Sequence, residues 1–349
     1  MGQILGIGTS VPEMYYEQDE VADYFVHMVE QITARRRAIY RVFDSAGVSK
    51  RHMVVNREFF YDLPTTRIRN DFYMKAALPL GNEAIHRVLD ASGYSVEDID
   101  DFVVVSCTGF SIPGLDLQLA HQMNMRPDLR RSCILGMGCY GAFPGLLRAF
   151  ESASAHPNKL VLVLSVELCS LHFQMEPTSE NIVSTSLFSD GAAAILVGGK
   201  NHSSKYPRIL DSATHCDYQT LDKMSFNVTD FGFQMYLSSY VPDILAAKVE
   251  DFVDNLLERN GLSRNNIDFW GIHPGSRKIV QHIQSRLNLK ESHLDHSLSV
   301  LNDYGNMSSA TILFVLDHIQ RCGNPQPGDR GVLLAFGPGL TMEGVLVQW

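Results

Sequence analysis

LDASGYSVEDIDDFVVVSCTGF (residues 89–110) and LERNGLSRNNIDFWGIHPG (residues 257–275) are two copies of one segment. Each runs from a helix end through a glycine turn (Gly93, Gly261) and an Ile-Asp pair (Ile99-Asp100, Ile267-Asp268) into an apolar strand. The duplication continues downstream. CILGMGCYGAFPGLLRAFE (133–151) parallels SVLNDYGNMSSATILFVLD (299–317), and each puts a glycine and then one polar residue, Cys139 or Asn306, at the start of an apolar helix. GAAAILVGG (191–199) likewise pairs with GLTMEGVLVQW (339–349). The chain therefore reads as two similar halves, 1–205 and 206–349, packed as one body.

DFVVVS, KLVLVLSVE and AAILVG are continuous runs rich in Val, Ile and Leu, as expected of strands buried on both faces. Strands alternating with amphipathic helices imply an α/β protein. Two copies imply five layers, αβαβα, with the halves related by a pseudo-twofold axis and loops from both converging on one site. Residues 19–45 read as mostly helical, with a basic cluster at Arg35, Arg36, Arg37 and Arg41 that suits a solvated helix face. TTRIRNDFYMKAALPLGNEAIHRVLDASG (65–93) leads into a second helix, and 241–261 is a long amphipathic one. The mixed polar stretch 201–222 reads as the junction between the halves.

Composition narrows the function classes. With 45% hydrophobic and 19% charged residues in 349, there is ample material for a core. The net charge of −10 gives no nucleic-acid signal. No uncharged apolar run approaches the ~18 residues that span a bilayer. The N-terminus, MGQILGIGTSVPE, lacks the cationic region of a signal peptide, and Gly6 weakens a myristoylation reading. Six cysteines (107, 133, 139, 169, 216, 322) without a CxxC pair read as reduced thiols, hence a cytoplasmic protein. No metal-ligand cluster is evident.

Cys139 sits between RSCILGMG and the helix that follows. A helix start offers free N–H groups and partial positive charge, both expected to lower the thiol pKa from about 8.5. Gly138 and Gly141 suit a tight turn there. His273 follows the strand IDFWGI, and Asn306 lies in DYGNMSSAT at another helix start, where an N-cap is the ordinary role. Taken singly, each residue has a structural explanation. Taken together, all three fall at strand-to-helix junctions of a duplicated fold. A thiol that accepts an acyl group and two hydrogen-bond donors for a developing enolate suit thioester chemistry.

HPGSRKIV with His273, YGNMSSATILFVLD with Asn306, LFSDGAAA from Leu187 and the terminal FGPGLTMEGVLVQW together resemble the type III polyketide synthases, the chalcone and stilbene synthase family of the thiolase superfamily. The resemblance covers most of the chain and is weakest before about residue 50. It implies the thiolase-like fold and a homodimer that uses no cofactor. An acyl-CoA starter would load onto Cys139, His273 and Asn306 would promote decarboxylation of malonyl-CoA, and the enolate would extend the chain before it cyclises. It also places Phe188 between CoA tunnel and cavity, Arg41 near a CoA phosphate contact, and Ile112 where a residue reaches into the partner's cavity. Ser308 and the Gly337-Pro338-Gly339 loop would shape the site.

Several positions depart from the better-known members. The cysteine loop reads GMGCYGAFPG; Met235 stands where the family has a gating phenylalanine; Phe226 replaces a glycine; Cys107 replaces a threonine; His172 aligns with another cavity position. These departures argue against a plant-type chalcone product and suit an apolar tunnel for a medium or long aliphatic starter, giving alkylpyrones or alkylresorcinols. A ketosynthase joining two carrier-bound β-ketoacyl chains into an α-pyrone, with an acyl carrier protein as partner, shares all three residues. A catalytically silent partner subunit is the reading from another class.

Overall fold

The computed structural model describes residues 2–29, 35–238 and 240–349. The first half contains β1 (Gln3–Ser10), β2 (Tyr15–Glu17), α1 (Gln18–Val29), α2 (Arg36–Ser45), β3 (Lys50–His52), α3 (Thr66–Ser92), β4 (Asp101–Ser106), α4 (Leu115–Gln122), β5 (Arg130–Leu135), α5 (Ala142–Ala155), β6 (Leu160–Leu168), α6 (Ser179–Leu187) and β7 (Asp190–Gly198). The second contains β8 (Arg208–Cys216), β9 (Met224–Thr229), β10 (Gly232–Leu237), α7 (Val241–Glu258), β11 (Phe269–Ile272), α8 (Arg277–Leu287), α9 (Asp295–Tyr304), α10 (Thr311–Cys322), β12 (Arg330–Gly337) and β13 (Thr341–Gln348). The helix expected over 19–45 is thus two helices, and its positions 30–34 lie outside the described residues.

The duplication is visible in the strand order. Nine strands run β11-β12-β13-β8-β1-β7-β6-β4-β5. In the first half β4 pairs parallel with β6, and β6-β7 and β7-β1 are antiparallel. In the second half β11 pairs parallel with β12, and β12-β13 and β13-β8 are antiparallel. The two sets meet back to back at a single residue pair, Gln3 with Arg208.

The quoted segments match in detail. Gly93 and Gly261 turn the chain at φ 74° and 66°, in the left-handed region that favours glycine. Ser95 with Asp98, and Ser263 with Asn266, form equivalent capping boxes on one-turn 3₁₀ helices. Asp100 N donates to Leu160 O and Asp100 Oδ2 accepts from Leu160 N; Asp268 does the same with Arg330, and all four bonds are 2.9 Å. The Ile-Asp pair therefore pins the start of one strand to its parallel neighbour in each half.

Alternation along the strands sets the layers. Phe102 and Val104 of β4 face outward into a core shared with α3, while Val103 and Val105 face inward against α5. Likewise Val332 and Leu334 of β12 join α7 and α8, while Leu333 and Ala335 face α10. The layers are outer helices, sheet, the central pair α5 and α10, second sheet, outer helices. This is the αβαβα arrangement expected.

The stretch read as a polar junction, 201–222, holds a full strand. β8 is mostly exposed or half-buried, so it lacks the apolar run that marks its buried neighbours. The halves differ in what lies between the first strand and the long helix that follows. The first half inserts β2, α1, α2 and β3 there; the second inserts the two-stranded β9-β10 hairpin.

Gly8 of β1 lies so close to α3 that a Cβ would fall 2.4 Å from Ala84 O and Val88 N. Neither backbone atom can swing aside, so Gly8→Ala is expected to cost about 1–3 kcal/mol. The check is urea unfolding, with a lower midpoint at unchanged slope; an unmoved midpoint would mean that α3 is not pressed against β1.

Candidate active site

The two central helices begin beside one another. Cys139 lies in a 3₁₀ turn, Gly138–Tyr140, just before α5, and Ser308 opens a second 3₁₀ turn, Ser308–Ala310, just before α10. Ser308 Oγ donates to Cys139 Sγ at 3.7 Å. Gly138 carries the left-handed φ, 71°, that the turn needs. Gly141 is helical at φ −54°; its role is close approach, because a Cβ would lie 3.1 Å from Val105 Cγ1. The Gly337-Pro338-Gly339 loop packs onto this turn. A Cβ on Gly138 would meet Pro338 Cδ at 2.5 Å, and one on Gly337 would meet the Tyr140 ring at 2.6 Å.

Asn306 is held with its amide in one orientation. Its Oδ1 accepts from Ser308 N (2.9 Å) and Thr311 Oγ1 (3.4 Å), which obliges Nδ2 to be the outward donor. Nδ2 donates to Gly275 O at 3.3 Å, and the amide also hydrogen-bonds the Cys139 thiol. His273 comes to the same place from β11. A Cβ on Gly275 would sit 3.7 Å from His273 Nε2, so the ring edge faces the residue that Asn306 touches. His273 is buried, and neither ring nitrogen has a partner among the described residues. A buried group without a hydrogen-bond partner is costly, and each one calls for an explanation. Cys139 and Asn306 are thus brought together, and His273 lies beside Gly275, the residue that Asn306 Nδ2 contacts.

The electrostatics differ from the sequence expectation. The Cys139 thiol is pushed up to about 11, first by burial, against the hydrogen bonds from Ser308 and Asn306 that favour the thiolate. Burial also pushes His273 down to about 3. Desolvation outweighs the helix end and favours the uncharged form of each group.

A cavity of about 500 Å³ adjoins this cluster. Its wall includes Cys107, His172, Phe188, Phe226, Met235, Ser308, Pro338 and Gly339, and no Asp, Glu, Lys or Arg among the described residues. The β9-β10 hairpin forms one side. Phe226 pairs with Met235 and Val228 with Phe233, so all four side chains share one face, and that face lines the cavity. Phe226 also meets Phe188 edge-on at 6.0 Å.

His172 ties the hairpin down. Its Nε2 donates to Thr108 O (2.7 Å), its Nδ1 accepts from Phe233 N (3.1 Å), and its ring stacks on Phe233 at 4.2 Å. The two partners fix the neutral Nε2–H tautomer. Two other candidates lie elsewhere in the single chain. Ile112 is 94% exposed and does not line the cavity, and Arg41 is exposed on α2 away from its wall.

The sequence reading missed Glu167. It is the lone charged residue in the mainly apolar β6 and is fully buried, which is the signal that would have found it. Ser309 Oγ, Thr108 Oγ1 (2.7 Å), Ser106 Oγ (3.3 Å), Cys107 N (3.0 Å) and Cys107 Sγ (3.3 Å) all donate to it. Cys107 Sγ also contacts Ser308 Oγ at 3.3 Å, so this network reaches the Cys139 turn through one hydroxyl. Burial raises the Glu167 carboxyl despite these donors, and burial raises the Cys107 thiol well above its usual range.

Residues 1–201 match the N-terminal domain of the chalcone and stilbene synthases, and residues 214–349 match their C-terminal domain. The chain belongs to the chalcone and stilbene synthase family. Its relatives include a 1,3,6,8-tetrahydroxynaphthalene synthase of Streptomyces peucetius subsp. caesius, 33% identical over 99% of this chain and 93% of that protein. A putative chalcone synthase of Bacillus subtilis is 32% identical over 100% of this chain and 99% of its own length. Among solved structures, the tetrahydroxynaphthalene synthase of Streptomyces coelicolor superimposes with a TM-score of 0.94 at 27% identity, covering 99% of both chains. PKS-I from the brown alga Ectocarpus siliculosus gives 0.93 at 27% identity, covering 99% of this chain and 98% of that one. The protein is a type III polyketide synthase, an acyltransferase of a family that works on CoA thioesters without a cofactor. No helix among the described residues is long and apolar enough to cross a membrane.

Burial pushes His172 down to about 4, below the usual histidine value of about 6.5, so the unfolded chain takes up this proton first. Its contribution to stability is full above about pH 6.5 and is lost as pH falls from there through about 4. Urea midpoints should fall over that window, and less steeply in His172→Gln. Identical profiles for the two proteins would assign the pH dependence to other groups.

Proposed function

We propose that this chain loads an aliphatic acyl group of medium or long length from its CoA thioester onto Cys139 and extends it with malonyl units. One observation carries this reading. Donors from Ser308 and Asn306 converge on a buried thiol beside a cavity whose described wall is uncharged. Its lining is mainly apolar, with Ser, Thr, Asn, Gln and His as the polar members, and such a cavity favours an alkyl chain over a charged starter.

In the first step His273 takes the Cys139 proton as sulfur attacks the starter carbonyl. The carbon–sulfur bond to CoA breaks, and the CoA thiolate takes the proton from His273. Malonyl-CoA then loses carbon dioxide, and the electron pair remains as an enolate. Its oxygen is met by an N–H of His273 and by Nδ2 of Asn306. The enolate carbon attacks the acyl carbonyl, a carbon–carbon bond forms, and the Cys139 thiolate leaves. The chain, now on CoA, reloads for the next round and finally closes to an alkylpyrone or alkylresorcinol. The matched relatives are polyketide synthases, which favours neither the carrier-dependent chain-joining reaction nor a silent subunit.

A homodimer completes the site in this reading. Phe110 and Leu135 line the cavity and yet are 58% and 50% exposed, beside the exposed edge strand β5 and the projecting Ile112. The partner copy would cover that edge, and its Ile112 would close the wall. We further assign the halves to 1–205 and 206–349, Arg41 to the CoA phosphates, and the protein to the cytoplasm, in keeping with its six free cysteines.

Mass spectrometry of products from purified protein, malonyl-CoA and a series of acyl-CoAs tests the reaction. Cys139→Ala should abolish chain extension, and retained polyketide formation would sink the assignment. Asn306→Ala should slow malonyl-CoA decarboxylation about 10²–10³-fold while acyl loading persists; unchanged decarboxylation would remove Asn306 from the enolate role. Met235→Phe should shift starter preference, and an unchanged product profile across starters would deny Met235 a gating role.

A further inference from the structure

A second cavity, about 430 Å³, lies behind the first. It is built by the insertion peculiar to the first half: Val21 of α1, Met53 and Val55 after β3, and Phe60, with Met175 closing one side. Its walls are mainly apolar, and polar side chains (Glu20, Arg57, Glu58) cluster at its exposed rim. One residue lines both cavities, and that residue is Phe173.

Phe173 is held as a partition. It is 5% exposed. Its carbonyl accepts from Arg69 Nη1 at 3.1 Å, and Arg69 is itself buried with its other bonds on the carbonyls of Pro64 and Leu171. The Phe173 ring lies nearly parallel to Phe60 at 6.3 Å, and the Arg51 guanidinium sits 5.9 Å from its centroid. Backbone and ring are both fixed by buried neighbours, so the ring is a wall at the end of the substrate cavity.

We propose that Phe173 sets the depth of the starter pocket, and that the cavity behind it is a preformed extension for the apolar tail of a longer acyl chain. The proposal rests on the reading of the first cavity as the acyl pocket. Removing the partition joins the two spaces without disturbing Cys139, His273 or Asn306, because Phe173 contacts none of them in the hydrogen-bond network described. Depth, and with it the upper limit on chain length, then becomes a property of one side chain.

The test compares hexanoyl-CoA with hexadecanoyl-CoA on the full-length protein, by calorimetric binding and by turnover with malonyl-CoA. Phe173→Ala, and the milder Phe173→Leu as a safeguard against loss of fold, should tighten hexadecanoyl-CoA binding at least about tenfold relative to hexanoyl-CoA. Refilling the second cavity by Met175→Trp in the Phe173→Ala background should reverse that gain. Folded Phe173 variants that bind both thioesters as the unmodified protein does would overturn the proposal. So would a gain that survives Met175→Trp, since the tail would then lie elsewhere. Binding reads the partition even without turnover. Absence of product from any starter, with the binding shift intact, would instead refute the reaction proposed above.

Discussion

The inner faces of both sheets have to be covered, and α5 and α10 supply most of that cover. Ile7, Val103 and Val163 on one side, and Leu333, Ala335 and Val345 on the other, share a single apolar core with these two helices. Because the halves are duplicates set back to back, the two helices lie in equivalent places and their first turns meet. The 3.7 Å contact between Ser308 and Cys139 is where that symmetry closes. The apolar burial that stabilises the middle layer also gathers a thiol from one half and an amide and an imidazole from the other.

The same burial sets the electrostatics. A site enclosed this fully favours uncharged forms, so the thiol rises, the imidazole falls, and Glu167 rises even with five donor groups around it. At Cys139 and His273 charge then develops during reaction, when a thiolate or an enolate oxygen forms. Donors already aimed at those positions need little rearrangement, and in a low-dielectric setting their effect is larger than in water.

Much of this was legible in the chain. The repeated Gly turn and Ile-Asp pair carry physical duties, a left-handed helix stop and a strand-to-strand clamp, so they persist in both copies. Buried strands announce themselves by Val, Leu and Ile. The exposed strands β5 and β8 do not, since their side chains answer to water or to another surface. The thiol pKa was misjudged because the chain shows a helix start but not the depth of its burial. Glu167 was visible only as an oddity within an apolar run, and its five donors come from two segments far apart in sequence, 106–108 and Ser309. The hairpin's role as a cavity wall follows from His172 and Phe233, which lie 61 residues apart in sequence.

The two unlike insertions divide the labour of the molecule. The duplicated frame carries the reacting groups, whereas the hairpin of one half and the α1–β3 segment of the other each enclose a hollow. Change in either insertion alters what fits and leaves the frame's strand pairing alone. The chemistry thus rests on the parts in which the two halves share a fold, and the choice of what fits rests on the parts in which they differ.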